Sequence, residues 1–104
     1  MEVEQFQEKI VEFCKAWEDY RGLRHTEQNI FNHLIEEIGE LARQFVNKDK
    51  GRGKFDCEQF DNAIGDILIH LTCLANLRGL KVEKLIEEII KEDSKRLLKK
   101  VNKN

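Results

Sequence analysis

The chain has 104 residues, a length typical of one domain, so we predict a single domain over residues 1–104. Its 18 basic and 20 acidic residues give a net charge of −2, which lacks the basic excess that drives nucleic-acid binding through counterion release. No apolar segment is long enough to span a bilayer and no leader precedes the first periodic segment, so we predict a soluble, cytoplasmic protein without a membrane partner.

The apolar residues recur at helical spacing and predict four helices and no strands. The first covers about residues 2–20, and the second begins after Thr26, a good N-cap residue, and fades at residues 47–50. The third begins after Asp56, with Gln59 in the position of a capping box, and ends at Gly79. The fourth begins near residue 82.

Two segments interrupt or follow these helices. A flexible loop is predicted at about residues 48–55, around the segment KDKGRGK, and a frayed tail at about residues 100–104. Because short connections join long helices, we expect an all-α, four-helix antiparallel bundle.

The third helix is apolar on more than one side. Leu68 and Leu71 lie on one face, whereas Ile69 and Cys73 add apolar surface on another. Such a helix must be covered on several sides, and a chain of this size buries only roughly two thirds of its surface. We therefore expect a homodimer that completes the bundle.

The three cysteines are Cys14, Cys57 and Cys73, an odd number at wide spacing. This set matches neither a disulfide framework nor a zinc site. The sequence therefore predicts unpaired thiols that serve as small buried side chains in a reducing compartment.

Acidic residues from two helices form the candidate site. Glu37 and Glu40 are three residues apart and are therefore neighbours on one helix surface. Asp66 lies in an otherwise apolar segment of the third helix and shares a face with Asn62. If the second and third helices pack antiparallel, these oxygen atoms converge, and they are the ligands that Mg²⁺ prefers.

Asp66 also has two simpler explanations. Its charge can be compensated by a basic partner such as Arg43, or the side chain can face solvent at the edge of the helix. Glutamate-rich helix faces are often only solvated, so the motif E-E-x-x-E is weak when it stands alone.

Three segments carry a resemblance to a known family: HLIEEIGELARQ, then NAIGDILIHLTCLANLRGL, then LIEEIIKEDSKR. Over about residues 30–96 the chain resembles the MazG-like, all-α nucleoside triphosphate pyrophosphohydrolases, whose mark is E-E-x-x-E followed by E-x-x-D. The resemblance implies Mg²⁺-dependent release of NMP and pyrophosphate from a nucleoside triphosphate, with Mn²⁺ as an alternative ion, in nucleotide-pool housekeeping. It also implies a four-helix fold that assembles as a homodimer or a dimer of dimers.

Carried over by position, the family pattern gives roles to individual residues. Glu37, Glu40 and Asp66 are the implied metal ligands. Glu36 belongs to the same motif, and either Glu36 or Glu37 can orient the attacking water as the catalytic carboxylate.

The chain departs from the family pattern at Ala63, where the family has the glutamate of E-x-x-D. Asn62, one residue earlier, offers a neutral oxygen on the Asp66 side of the helix. With fewer acids, the alternative to an enzyme is a weakened or inactive MazG-like homodimer that acts as a binding or structural module.

Further residues are candidates for contact with the substrate. Asp93 resembles a position where relatives carry Asn or Asp, followed three residues later by the equivalent of Arg96. Lys95, Arg96 and Arg43 can hold phosphate. The simpler interpretations are that the basic residues near the end of the last helix suit its dipole, and that Arg43 pairs with Glu40.

Histidines and aromatic residues near the acidic groups complete the candidates. His33 and His70 lie one turn from the acidic residues and can orient them, although ordinary surface or core histidines are the simpler expectation. Trp17, Tyr20 and Phe31 can supply a stacking wall for a base, whereas Trp17 also falls on the apolar stripe of its helix, which favours core packing.

Overall fold

The computed structural model describes residues 2–51 and 53–102, whose backbone forms four helices. Helix α1 spans Val3–Arg21, α2 Glu27–Lys50, α3 Cys57–Leu77 and α4 Val82–Val101. These described residues include no strand, so the all-α, four-helix prediction is confirmed.

The helix boundaries follow from local capping. The side chain of Thr26 accepts a hydrogen bond from the backbone N–H of Asn29, at 3.1 Å, at the start of α2. The Asp56 side chain accepts from the backbone N–H of Gln59, also at 3.1 Å, at the start of α3. Gly79 follows the end of α3 with a φ of 70°, a left-handed conformation that only glycine adopts without strain.

Two predicted irregular segments are shorter than expected. Helix α2 continues to Lys50, so residues 48–50 are helical and do not belong to the loop. Helix α4 continues to Val101, so residues 100 and 101 are not frayed. Arg52 in the predicted loop, and Lys103 and Asn104 in the predicted tail, lie outside the described residues.

Helices α2 and α3 are the best-packed pair and run antiparallel. Three contacts along their length join residues whose numbers add up to 103 or 105: His33 with His70, Gln44 with Gln59, and Phe45 with Phe60. A constant total indicates antiparallel helices in fixed register, because each step along one helix matches a step back along the other. This register places Glu37 opposite Asp66, and Glu40 opposite Ala63.

The core of the single chain is small and lies between α1, α2 and α3. Ile10, Ile30 and Cys73 are buried together, and Cys14, Ile69 and Leu74 pack against them at partial burial. Helix α1 thus rests mainly on α3, with further contacts to α4.

The cysteine prediction fails in part for all three residues: two of them are paired, and the third is unpaired but not buried. Cys14 and Cys73 are joined by a disulfide, with their Cα atoms 7.1 Å apart, although 59 positions separate them in the chain. Cys57, which was expected to be buried, is an exposed free thiol at the first position of α3. Sequence spacing alone could not reveal the pair, because only the packing of α1 on α3 brings the two sulfurs together.

Helix α4 departs from the antiparallel alignment of a compact bundle. Its direction differs from that of α3 by 98°, and every residue from 86 to 102 is exposed. The Cα radius of gyration is 17.8 Å, whereas a compact chain of this length has about 13 Å. The single chain therefore leaves the apolar stripe of the amphipathic helix α4 uncovered.

Over residues 2–51 and 53–102, no individual helix has the length and apolar character needed to cross a membrane. Only α3 and α4 taken together, across their sharp bend, pass that test of length and composition.

Candidate active site

The acidic group lies on the facing surfaces of α2 and α3. Burial, followed by the negative charges of Asp66, Glu40 and Glu36, raises the pKa of the half-buried Glu37 carboxyl. Asp66, on the opposite helix, is the strongest of the three charged causes. The structure therefore brings the carboxylates of two helices near one another, as the register of the pair requires.

Asp66 itself is exposed in the single chain, so its charge is not buried among the apolar residues around it. Neighbouring side chains are only partly covered as well: Ile64, Leu68 and Leu71 expose 43%, 51% and 46% of their surfaces. The interpretation in which Asp66 faces solvent at the helix edge therefore describes the single chain.

Arg43 does not compensate Asp66. Its Nη1 atom lies 3.6 Å from Oε1 of Glu40, one turn earlier on the same helix, and both side chains are substantially exposed. This is the ordinary ion pair along a helix that was the simpler expectation for Arg43.

Ala63 occupies the place between the helices that the family pattern assigns to an acid. It is only 3% exposed and lies opposite Glu40 in the register of α2 and α3. Asn62 is exposed, because the next residue along a helix points about 100° further round it. The amide is therefore placed beside the facing surface of the two helices, and Glu40 has no acid directly opposite.

The carboxylates of Glu37, Glu40 and Asp66 have the right chemistry to bind a hard cation, but their side chains are not arranged around one point. Carboxylate oxygens are the ligands that Mg²⁺ prefers. Within the part of the chain that the structure describes, however, no three His, Cys, Asp or Glu side chains approach closely enough to hold a metal ion. Glu36 instead lies 3.7 Å from Nδ1 of His33, and Glu40 pairs with Arg43, so the ligand roles stay a prediction.

A cavity of about 200 Å³ lies beside the acidic group, between α1, α2 and α3. Its walls include Phe13 and Trp17 from α1, His33 from α2, and His70 from α3. The two histidine rings are stacked, with centroids 5.8 Å apart and planes 15° from parallel. His33 lines the cavity and also lies 3.7 Å from Glu36, so this histidine connects the cavity wall to the acidic group.

Trp17 of α1 does not pack in the core as its position on the apolar stripe predicted. Trp17 is 42% exposed and lines this cavity, so its predicted core packing is wrong. The guanidinium carbon of Arg21 lies 4.9 Å from the centre of the Trp17 ring, and Tyr20 meets that ring edge-on at 5.8 Å. Phe31 lies outside the residues that line the cavity.

The pKa of His70 is lower than that of a free histidine. Burial, and then the neighbouring His33, lower its pKa, while the charge of Asp66 acts in the opposite direction. The lowered pKa favours the uncharged form of His70 at the cavity wall.

The candidates on α4 are not brought to the acidic group of their own chain. Asp93 pairs with Arg96 at 3.6 Å and Lys95 with Glu92 at 3.6 Å, all exposed on the surface of the helix. The 98° change of direction and a rise of about 1.5 Å per residue put Asp93 roughly 20 Å from Asp66.

Sequence reasoning missed Gln44, a polar residue that is only 3% exposed. Its Oε1 atom accepts a hydrogen bond from the backbone N–H of Asp56, at 2.7 Å, and its Nε2 atom donates to Gln59 at 3.2 Å. The signal was present, since Gln44 falls on the same helical stripe as the buried Ile30 and Leu34. A polar residue on such a stripe indicates a structural hydrogen bond.

Helices α2 and α3, with acidic residues on their facing surfaces and a cavity alongside, define an all-α protein with an acidic interhelical site. The family model of the MazG nucleotide pyrophosphohydrolase domain matches residues 25–99, which include α2, α3 and most of α4. No curated protein and no solved structure matches the chain. The chain belongs to the MazG nucleotide pyrophosphohydrolase family, and α1 lies outside the matched region.

Proposed function

We propose that this protein is a Mg²⁺-dependent nucleoside triphosphate pyrophosphohydrolase that releases NMP and pyrophosphate and so removes unwanted nucleotides. The register of α2 and α3 carries the proposal, because it sets Glu37 against Asp66 within the part of the chain that matches the family. Nucleoside triphosphates occur in the cytoplasm, which supports a cytoplasmic location.

Glu37, Glu40 and Asp66 would hold the ion, either Mg²⁺ or Mn²⁺, with Asn62 as a neutral neighbour. Bound there, the ion supplies charge neutralisation for the phosphates. The carboxylate of Glu36 would not bind the ion and can accept the proton of an attacking water. Nδ1 of His33 lies 3.7 Å from this carboxylate and can orient it.

The adjoining cavity would receive the base. Its aromatic and histidine walls offer flat faces, and stacking on such faces stabilises a base by about 1–3 kcal/mol. Arg43 stands one turn from Glu40 and can turn from that carboxylate to a phosphate. No partner other than the nucleotide and a second copy of the chain is needed.

A second copy would cover α4 and complete the substrate site. The residues of α4 that expose apolar side chains are Ile86, Ile89, Ile90, Leu97, Leu98 and Val101. An apolar stripe of this length on a soluble helix requires a covering surface. Asp93, Lys95 and Arg96 lie too far from their own acidic group, so in a homodimer they would serve the site of the other copy.

The test is pyrophosphate release from purified protein, supplied in turn with each ribonucleoside and deoxyribonucleoside triphosphate and Mg²⁺. We expect release from at least one nucleotide and its loss when the ion is chelated. Asp66→Asn should lower the rate by about 100-fold or more, since it removes charge stabilisation of the reacting phosphates. Asp61→Asn, the same chemical change at an exposed position of α3, should leave the rate unchanged. Equal rates for the two variants would contradict the assignment.

The buried Ala63 favours one second candidate, a homodimer that binds nucleotide without hydrolysing it. In that case the natural chain would bind a nucleotide and Mg²⁺ but release no pyrophosphate. The variant Ala63→Glu would then gain the reaction.

A further inference from the structure

The disulfide joins a part of the chain outside the family match to a part inside it. Cys14 belongs to α1, whereas Cys73 belongs to α3 and lies in the matched region. Both cysteines line the cavity that adjoins the acidic group. A covalent bond therefore fixes α1 in place as one wall of that cavity.

Helix α1 has little else to hold it on the other helices. Ile10 is its one buried residue among those described. Its aromatic side chains are largely exposed, with 51% of Phe13 and 42% of Trp17 accessible. At its other end, Gln7 bonds the backbone at Leu80 and Val82, but α4 is itself poorly packed. The disulfide therefore adds a covalent link to the few noncovalent contacts that hold α1 against the other helices, among them the buried Ile10 and the ion pair between Glu4 and Lys81.

We propose that the thiol–disulfide state of Cys14 and Cys73 controls the position of α1, and with it the aromatic wall of the cavity. In the oxidised state the bond holds Phe13 and Trp17 beside the histidine pair. In the reduced state α1 moves away from α3 and the cavity opens on that side. The consequence for nucleotide binding rests on the proposed function, whereas the movement of α1 does not.

The chemical step is a thiol–disulfide exchange with a low-molecular-weight disulfide such as oxidised glutathione. One thiolate attacks the small disulfide to give a mixed disulfide, and the second thiolate displaces the remaining small thiol. One S–S bond forms and one breaks, two electrons pass from the protein to the small disulfide, and the two protons of the protein thiols end on the two released glutathione thiolates. A dithiol reductant reverses the exchange.

Trp17 provides a direct readout, because it is the only tryptophan in the chain and lies in the moving wall. Its fluorescence would be quenched with acrylamide in the full chain, equilibrated in oxidised or in reduced glutathione. Mass spectrometry after alkylation would report which thiols are free. We expect reduction to raise the quenching constant about twofold, because local opening exposes the ring.

Variants at the three cysteines separate the disulfide from general thiol chemistry. Cys57→Ser, at the exposed free thiol, should keep the full response to reduction. Cys14→Ser and the more conservative Cys73→Ala should both show the high quenching constant in either buffer. A natural chain that forms no bond between Cys14 and Cys73 in oxidised glutathione, or whose quenching is the same in both states, would overturn the proposal.

A kinetic arm tests the link to the site. The Michaelis constant for the preferred nucleotide should differ at least about threefold between the oxidised and reduced forms, while Cys57→Ser changes nothing. If Trp17 responds but the Michaelis constant does not, control of the substrate site is refuted. If no nucleotide is hydrolysed, the proposed function fails, and the fluorescence result still decides whether the disulfide positions α1.

Discussion

Ala63 is the residue that limits how many carboxylates can face one another between α2 and α3. It is buried, at 3% exposure, and lies opposite Glu40 in the register of the two helices. A glutamate there would have to place its charge beside Glu40 and Asp66, and near Glu37, whose pKa is already raised by burial and then by those two charges. With alanine at this position, no further carboxylate adds to the repulsion between α2 and α3, which a bound cation would relieve.

We predict that Ala63→Glu lowers the free energy of unfolding by about 1–3 kcal/mol without a divalent ion, because a charge is desolvated near three others. Added Mg²⁺ should restore much of that loss, which urea unfolding with and without the ion would measure. Ala63→Gln is the matched control, since it has the same size without the charge. If Mg²⁺ rescues both variants equally, the added carboxylate does not face the acidic group.

His70 predicts a pH dependence of stability. Burial and His33 lower its pKa in the folded chain, with His25 also opposing its charge and Asp66 favouring it, while the unfolded chain keeps the ordinary value of 6.5. A depressed histidine pKa means that the unfolded chain takes up the proton first. Its stabilising contribution is therefore complete above pH 6.5 and is lost as the pH falls below that value.

Urea unfolding at about pH 7.5 and about pH 5.5 would measure this effect. The natural chain should lose more stability over this interval than His70→Gln, which has no proton to gain. An equal loss in both proteins would show that other groups govern the acid sensitivity.

At the scale of elements, two glutamines fix the junctions between helices. Gln44 of α2 bonds the backbone N–H of Asp56 and the side chain of Gln59, where α3 begins. Gln7 of α1 accepts from the backbone N–H of Val82, at 2.8 Å, where α4 begins. Each amide replaces a hydrogen bond that the first turn of the next helix cannot make for itself.

We predict that Gln44→Ala destabilises the chain by about 1–3 kcal/mol, because it leaves polar partners unsatisfied in a buried place. Gln28→Ala, at an exposed position of the same helix, should change the stability by no more than about 0.5 kcal/mol. Urea unfolding of the two variants would compare them. A loss at Gln28 as large as that at Gln44 would contradict the role given to the buried amide.

The elements were predictable from the sequence to the extent that their signals are local. Thr26 and Asp56 begin their helices with side-chain hydrogen bonds that depend on the next three residues only. The disulfide and the role of Gln44 depend on helices meeting in space, and no local pattern specifies such contacts. For the same reason, the sequence predicted that Glu37 lies opposite Asp66 only if α2 and α3 pack antiparallel.

At the scale of the whole molecule, the direction of α4 relative to the other helices could not be predicted from the periodicity of the sequence. An apolar stripe shows that a helix will be covered, but it is the same whether the cover comes from the chain itself or from another copy. Here α4 turns by 98° from α3, and residues 86–102 stay exposed. The single chain is therefore elongated, with extents of 54 × 41 × 27 Å.

We predict a homodimer or a dimer of dimers in solution, measurable by analytical ultracentrifugation. Ile89→Glu, at a side chain that is 60% exposed in the single chain, should shift the population toward monomer, because a charge would enter the covered face. Lys91→Glu adds the same side chain two positions away, where the helix turns by about 200° to its polar side, and should leave the assembly intact. A monomeric natural chain would contradict this prediction.

The hydrogen bonds of Gln44 have a consequence for the segment that connects α2 to α3. Because this amide bonds Asp56 and Gln59 directly, the register of the two helices does not depend on the connecting turn alone. A reporter peptide or a longer linker inserted between residues 51 and 53 should therefore leave Glu37 opposite Asp66. The turn is thus a convenient place to attach the chain to a surface or a fluorescent dye.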